Sequence, residues 1–167
     1  MSLEFQSKLN QLLVLGKKNG LFFSDWLKKK GYSDQLIRKY RQSGWLSSLD
    51  KGVMYRTGDK LSAIVSLSCY NEQLEKEVRI AAHSALELFG FNHYVPMGKP
   101  ILMVACHCSI VPKWMSKDCF DRTFKVFSTK TIEIPQTSNI NIEGVNLLVS
   151  SPEQAFMECL LLAKDQY

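Results

Sequence analysis

The chain has 167 residues, of which 46% are hydrophobic, and its formal net charge is +5. This length and composition predict a globular protein of one or two small domains. No apolar run reaches the roughly 18 residues that a membrane-spanning helix needs. The amphipathic N-terminus also lacks the long apolar segment and cleavage site of a signal peptide. We therefore expect a cytoplasmic protein with no membrane partner.

The positive charge is concentrated in the first third of the chain. Residues 1–60 contain 12 Lys and Arg against 5 Asp and Glu, whereas residues 61–167 contain 9 against 11. A basic region of this kind is typical of a surface that binds DNA phosphates. The alternative is a small helical domain whose lysines are merely solvated.

The first 58 residues predict a winged helix-turn-helix domain. After an amphipathic first helix, Ser24 is placed to cap a short helix, because its hydroxyl can accept a hydrogen bond from a first-turn N–H. Gly31 then supplies a left-handed end to that helix. Ser33 and Gly44 mark the start and the end of a second helix in the same way. Two short helices joined by a tight turn are the pattern of a helix-turn-helix.

The second helix has one narrow apolar stripe and is followed by a hairpin. Leu36, Ile37 and Tyr40 share a face that we expect to be buried, and polar side chains occupy the other faces. Residues 45–56, with a polar turn around 50–52, predict two strands that form the wing.

The second helix is predicted to enter the major groove of DNA, with its N-terminal residues at base edges. We expect Gln35 to pair with adenine and Arg38 with guanine, because both can form bidentate hydrogen bonds to those bases. Phosphate contacts are expected from Lys39, Arg41 and the lysines at positions 28–30. Lys51 and Arg56 lie on the wing and are expected to reach the DNA backbone or the minor groove. The candidate DNA-binding residues are Lys28, Lys29, Lys30, Ser33, Asp34, Gln35, Arg38, Lys39, Arg41, Lys51 and Arg56.

Residues 59–167 predict a second domain of mixed α/β structure. Asp59 is placed to cap a helix over residues 60–70. The apolar spacing predicts a further helix over residues 71–89, which Gly90 ends. The fold class expected for the whole chain is therefore α+β, with the winged helix-turn-helix followed by helices, an antiparallel or mixed sheet and a C-terminal helix.

The sheet of the second domain is expected from short apolar runs separated by prolines and glycines. The serines at 150–151, Pro152 and Glu153 then suit the first turn of the last helix, which continues to Ala163. The chain ends soon afterwards without a closing element, so we expect this domain to be truncated. The predicted strands are His93–Val95, Ile101–Val111, Thr123–Ser128, Thr131–Ile134 and Gly144–Val149.

The cysteines do not indicate a metal site. Five cysteines at irregular spacing predict reduced thiols that pack as small buried hydrophobes. Cys106, His107 and Cys108 lie on one predicted strand, whose alternation points His107 away from both cysteines. We therefore expect neither a zinc site nor a Cys–His nucleophile there.

No catalytic motif is found. The chain has no phosphate-binding loop, no G-x-S-x-G and no H-E-x-x-H. The spacing of Asp118, Asp121 and Glu133 does not favour a nuclease metal cluster over ordinary surface acids. We expect no enzymatic activity, no cofactor and no bound metal.

Three segments follow the winged pattern in an order that resembles a known family. They are SALELFGFNHYVPMG at residues 84–98, PKWM at residues 112–115 and SSPEQAFMECL from Ser150. Together they resemble the AbiEi family of antitoxins, found in type IV toxin–antitoxin and phage abortive-infection modules. Gln154 stands where the last block of the family, S-P-E-R-A, has arginine, so a cationic role at that position is lost.

The resemblance implies a winged helix-turn-helix that binds inverted repeats upstream of its operon and represses it. It implies a C-terminal domain that carries antitoxicity, in family members commonly longer than this chain. It also implies a cognate toxin that resembles a nucleotidyltransferase and that the antitoxin need not contact directly. We therefore predict a repressor and antitoxin whose partner is double-stranded operator DNA.

Two other functional classes remain open from the residues. One is a protein-interaction module in which the winged helix and the α/β domain dock a protein partner. The other is a nucleic-acid-processing enzyme of unrecognised type. Binding that is insensitive to salt would favour the first, because phosphate contacts are strongly salt-dependent. Metal-dependent cleavage of DNA or RNA would favour the second.

Overall fold

The computed structural model describes residues 3–91, 97–107, 110–128 and 135–164. The chain forms two compact units, Met1–Lys76 and Glu77–Tyr167. The boundary lies later than the one predicted after residue 58, because the helix that follows the wing packs on the first unit.

The first unit is a winged helix-turn-helix, as the sequence predicts. Its three strands form an antiparallel sheet of order β1-β3-β2, in which Phe22 lies opposite Met54 and Leu46 opposite Arg56. Its elements are α1 (Leu3–Leu15), β1 (Phe22–Phe23), α2 (Ser24–Lys29), α3 (Asp34–Gln42), β2 (Leu46–Asp50), β3 (Val53–Arg56) and α4 (Ala63–Leu74).

One of the two predicted caps of the helix-turn-helix is confirmed and the other is wrong. The hydroxyl of Ser33 accepts a hydrogen bond from the backbone N of Leu36 at 3.2 Å and caps α3. Ser24 is instead the first residue of α2, and the N-cap position belongs to Phe23, which makes no side-chain cap. The backbone N of Ser24 donates to the carbonyl of Gly52 at 2.9 Å. A contact with the wing turn thus takes the place of a local cap.

The apolar stripe of α3 lies in the core of the first unit. Ile37 and Tyr40 are buried and Leu36 is half-buried, as predicted. Gly31 and Gly44 end α2 and α3 with φ of 87° and 78°, a conformation that glycine adopts without steric cost. The core side chains are Leu9, Leu12, Phe22, Leu27, Tyr32, Ile37, Tyr40, Leu46 and Met54.

The second unit is built on a mixed five-stranded sheet of order β6-β5-β4-β8-β7. Strands β4–β8 and β5–β6 pair in parallel, and β4–β5 and β7–β8 pair antiparallel. Its elements are β4 (Arg79–Ile80), α5 (Ala82–Leu88), β5 (Ile101–Cys106), a 3₁₀ turn (Lys113–Ser116), β6 (Thr123–Ser128), β7 (Thr137–Ile142), β8 (Val145–Ser150) and α6 (Pro152–Lys164).

The long helix predicted over residues 71–89 is wrong. Helix α4 extends to Leu74 and ends at Glu75, whose φ is 53°, and strand β4 separates it from the short helix α5. Arg79 is buried in β4, where its guanidinium pairs with the carboxylate of Glu158 at 2.9 Å. The apolar spacing that indicated a helix therefore reflects packing on both sides of a short central strand.

The cap predicted for the following helix is also displaced. The hydroxyl of Ser62 accepts from the backbone N of Val65 at 3.3 Å and caps α4. Asp59 instead accepts a hydrogen bond from the backbone N of Asn19 at 2.9 Å. Its carboxylate joins two loops of the first unit rather than beginning a helix.

The strand predictions are partly confirmed. Strand β6 has the predicted bounds, β8 is shifted by one residue, and β5 ends at Cys106, earlier than expected. The sequence analysis missed β7, because only two of its six residues are large and apolar. The strands predicted over residues 93–95 and 131–134 lie outside the described residues.

The C-terminal helix is confirmed, whereas the cysteine prediction fails in part. The hydroxyl of Ser151 accepts from the backbone N of Gln154 at 3.2 Å, at the start of α6. Cys69 is a buried free thiol, but Cys119 is exposed and Cys106 is disulfide-bonded. The expectation of reduced, buried thiols is therefore wrong at these last two positions.

Candidate nucleic-acid interface

The face of α3 opposite its core stripe is polar and exposed. Successive residues of an α-helix are about 100° apart, so Gln35, Arg38 and Gln42 lie at the centre of the outward face. Lys39 lies on one flank of this face, and Arg41 lies on the other. All five side chains are exposed. The helix thus presents two amides and three cations to solvent without an intervening apolar residue.

A groove runs between α3 and the wing. Its end near the wing turn, called here the tip groove, has a volume of about 430 Å³. Its other end, at the base of the wing, has a volume of about 500 Å³. Arg38 and Arg41 line both ends. The residues that line the tip groove are Ser24, Asp34, Ile37, Arg38, Arg41, Ser48, Asp50, Lys51, Gly52 and Met54.

The wing turn is held against the start of α2. The carbonyl of Gly52 accepts from the backbone N of Ser24, as described above, and Gly52 has φ of 73°. A Cβ atom at this position would lie 2.8 Å from the hydroxyl of Ser24. Glycine is therefore required for both the left-handed backbone and the close approach. The neighbouring Lys51 lines the tip groove together with Asp34, the first residue of α3.

The two lysines of the last turn of α2 and the C-cap residue Lys30 are each engaged within the first unit. Lys28 pairs with Asp34 at 3.0 Å, and Lys29 pairs with Glu75 at 3.5 Å. The ammonium of Lys30 lies 5.9 Å from the centroid of the Trp26 ring. All three lysines are exposed, so these contacts are weak and exchangeable.

The structure does not bring Arg56 together with the other predicted DNA-binding residues. Its guanidinium Nη2 donates to the carbonyl of Leu13 at 2.7 Å, and its Nε is buried without a hydrogen bond. Arg56 therefore holds the end of α1 against the base of the wing. Its role at the DNA backbone or minor groove stays a prediction.

Comparison with known families decides the assignment. The family model described as "Transcriptional regulator, AbiEi antitoxin N-terminal domain" matches residues 5–97, which is more than half of the chain. The chain belongs to the AbiEi antitoxin family. It is a transcriptional regulator of the antitoxin class, and the matched range contains the whole helix-turn-helix and wing. No curated protein sequence matches the chain.

Several groove residues of this AbiEi-family chain were not among the predicted contacts. Gln42, Ser48 and Asp50 line the groove beside Arg38 and Arg41. The hairpin runs back along α3, which places the first wing strand and the wing turn next to that helix. Gln42 lies on α3 itself, and Ser48 and Asp50 lie in the hairpin that directly follows the helix-turn-helix. These positions are the sequence signals that could have identified the three residues.

Tyr40, which lies in the core behind α3 of this AbiEi-family chain, is neutral at physiological pH. Burial, together with a smaller effect of the nearby Tyr32, raises the pKa of Tyr40 to about 12. The phenol of Tyr40 therefore stays protonated at neutral pH, and the charge of α3 comes from its exposed side chains.

Other candidate chemistry in the AbiEi-family chain is sparse. Within the described ranges, no group of three or more His, Cys, Asp or Glu side chains could hold a metal ion. Asp118 forms an exposed ion pair with Lys99, whose hydrogen bond lowers the pKa of that carboxyl. Glu133 lies outside the described residues. No helix in the described part of the chain is long and apolar enough to cross a membrane.

Proposed function

We propose that the first unit binds double-stranded operator DNA and thereby represses the operon that encodes the protein and its toxin. The observation that carries this proposal is the outward face of α3, with Gln35, Arg38 and Gln42 at its centre and a cation on each flank. An α-helix with its side chains is about 10–12 Å wide and the major groove is about 12 Å wide. The face therefore suits insertion into that groove.

The position of each side chain on α3 supports a division of roles. Gln35 and Arg38, at the centre of the face, are proposed to reach base edges, with Gln35 on adenine and Arg38 on guanine. Lys39 and Arg41, on opposite flanks, are proposed to contact phosphates on the two strands that border the groove. Such a division combines sequence readout with electrostatic affinity.

The remaining predicted contacts are proposed in supporting roles. Lys28, Lys29 and Lys30 reach phosphate by exchanging their present exposed partners, and Lys51 reaches the backbone from the wing turn. Ser33 positions the N-terminus of α3 through its cap. Arg56 has no part in the proposal, because its guanidinium holds the carbonyl of Leu13.

The wider regulatory arrangement is proposed from the family. We expect inverted repeats in the operator and a cognate toxin that resembles a nucleotidyltransferase. We also expect the second unit to carry antitoxicity without direct contact between antitoxin and toxin. In this arrangement the protein itself is not an enzyme.

The proposal is tested by fluorescence anisotropy with two labelled duplexes. One spans the region upstream of the gene that encodes the protein, and the other is a shuffled duplex of equal length and composition. The expected result is tighter binding to the upstream duplex, with affinity for both falling steeply as salt rises. Weak and equal binding to both would contradict operator recognition. It would favour the alternative of a protein-interaction module.

Point variants separate base readout from phosphate contact. Arg38→Ala should cost about 1–3 kcal/mol on the upstream duplex and less on the shuffled one. Lys39→Ala should lower the affinity for both duplexes by the same factor. Lys60→Ala removes an exposed cation that lies outside α3 and the wing, and should change little. Equal losses for Arg38→Ala on both duplexes would contradict its assignment to a base.

A further inference from the structure

The tip groove between α3 and the wing contains more negative charge than a phosphate-binding surface would carry. Its charged side chains are the cations Arg38, Arg41 and Lys51 and the carboxylates Asp34 and Asp50. A carboxylate repels a DNA phosphate, so each of the two acids opposes the electrostatic attraction that drives non-specific binding. Their presence beside two arginines therefore needs an explanation other than affinity.

Neither carboxylate is a buried structural ion. The side chain of Asp34 is 75% exposed, and its ion pair with the half-exposed Lys28 is a surface pair that contributes little to stability. Asp34 can therefore exchange this partner for another donor. Asp50 accepts a hydrogen bond from the backbone N of Lys51 at 2.8 Å. This bond fixes the carboxylate of Asp50 at the wing turn.

The mixture of guanidinium and carboxylate groups matches a base edge better than a phosphate. Guanine presents two acceptors in the major groove, whereas cytosine presents an amino donor that a carboxylate can accept. Asp34 is the first residue of α3, one turn before Arg38. It lies at the end of the recognition helix where base edges are usually reached.

We propose that Asp34 and Asp50 determine the sequence specificity of this DNA site. Asp34 accepts a hydrogen bond from the amino group of a cytosine close to the guanine that Arg38 contacts. Asp50 excludes phosphate from the tip groove and so weakens binding in incorrect registers. This inference rests on the proposed function, because it assigns roles within the same DNA-binding surface.

The experiment uses the full chain and duplexes selected from a random-sequence library. The selection is repeated with Asp34→Asn, because asparagine pairs bidentately with adenine instead of accepting from cytosine alone. The expected result is a change from cytosine to adenine at one position of the selected sequence. An unchanged preference at every position would overturn the role of Asp34.

Anisotropy on the selected and shuffled duplexes tests the role of Asp50. Asp50→Asn should tighten binding to the shuffled duplex more than binding to the selected duplex, and so lower the ratio of the two affinities. The matched control is Asp25→Asn, which makes the same charge change at an exposed position of α2 that does not line the groove. This control should raise the affinity for both duplexes by the same factor and leave the ratio of the two affinities unchanged. A ratio that responds to Asp50→Asn as it does to Asp25→Asn would overturn the role of Asp50.

Two further controls separate the possible causes of failure. Lys28→Met breaks the ion pair with Asp34 by removing the cation instead of the carboxylate. It should weaken binding to both duplexes without changing the ratio of the two affinities. Thermal unfolding of each variant establishes that it is folded. A wild-type chain that selects no sequence would overturn the proposed function and this inference together. A selective wild-type chain whose acidic variants keep its selectivity would overturn this inference alone.

Discussion

The two units of the protein are stabilised by different kinds of interior. The first unit has a core of apolar side chains, and the ion pairs described in it, such as Lys29–Glu75, lie at the surface. The second unit contains the buried pair Arg79–Glu158, whose side chains are 2% and 0% exposed. The buried polar groups described in the first unit are neutral, such as Gln73, whose side chain bonds to the backbones of Leu21 and Phe23, whereas the second unit buries an ion pair.

The buried network connects four elements of the second unit. The carboxylate of Glu158 on α6 accepts hydrogen bonds from Arg79, from the hydroxyl of Ser150, from the amide of Gln154 and from the backbone N of Ala82. Buried charges are tolerated only when such partners compensate for lost hydration. We therefore expect removal of one polar partner to unfold the second unit as a whole. Single substitutions in the first unit should lower its free energy of unfolding by smaller amounts.

The largest expected effect is that of Glu158→Gln. This change keeps the shape of the side chain but replaces the carboxylate that faces the buried guanidinium of Arg79 with a neutral amide. We expect the free energy of unfolding of the second unit to fall by about 3–5 kcal/mol, with little change in the first. Hydrogen exchange measured peptide by peptide by mass spectrometry distinguishes the two units.

The controls for this prediction lie on the same helix and across the network. Glu153→Gln removes an exposed charge from the first turn of α6 and should cost little. The double variant Arg79→Met/Glu158→Leu should recover part of the loss, because apolar replacements leave no buried charge unpaired. A loss spread equally over both units would contradict the contrast between their interiors.

A second expected effect is alkaline destabilisation of the first unit through Tyr40. The pKa of Tyr40 is raised from 10 to about 12 in the folded state, so the folded protein holds a proton that the unfolded chain loses. The stabilisation is present below pH 10 and is lost as pH rises towards 12, with a slope of at most about 1.4 kcal/mol per pH unit. Urea unfolding across this range should show a shallower decline in Tyr40→Phe. An identical decline would exclude Tyr40 as its cause.

A smaller effect is expected at the two serines of the helix-turn-helix. Ser33→Ala removes the cap of α3 and should cost about 1 kcal/mol of unfolding free energy. Ser24→Ala is the matched comparison, because Ser24 makes its wing contact through the backbone N and caps nothing. We expect it to cost much less. Equal costs in chemical denaturation would show that the hydroxyl of Ser24 has a stabilising contact after all.

The smallest expected effect is at the surface of the first unit. Lys29→Met breaks the exposed ion pair with Glu75, and should change the unfolding free energy by less than about 1 kcal/mol at low salt. The difference should shrink further at high salt because the pair is screened. A cost that is larger and independent of salt would show that surface charge matters more to this unit than its core suggests.

The first unit was largely predictable because its signals are local. Ser33 caps a helix that begins at the next residue, and Gly31 and Gly44 end helices within two residues of their last turns. The predicted burial of Tyr40 needed only the spacing of one helical stripe. Misplacing the cap at Ser24 has a physical cause, because the backbone N of Ser24 bonds to Gly52 across the wing and no neighbouring residue signals this.

The candidate site was predicted only in part. The residues of α3 follow from the period of the helix, so their outward face could be deduced from the sequence. Arg56 could not be placed in the same way, because its alternative partner is a carbonyl at the end of α1. Of the two acids of the tip groove, Asp34 was among the predicted contacts, whereas Asp50 was missed because it comes to line the groove with α3 only when the hairpin folds back.

The sequence by itself determined the winged helix-turn-helix and the polar face of α3. These properties depend on residues within a turn or two of each other, where backbone preference and side-chain period act directly. Only the tertiary structure decided the short strand β4, the buried pair Arg79–Glu158 and the mixed charge of the tip groove. Each of these depends on residues that are distant in the chain, and a pairing over that distance is selected by burial and hydrogen bonding in the folded state rather than by any local pattern.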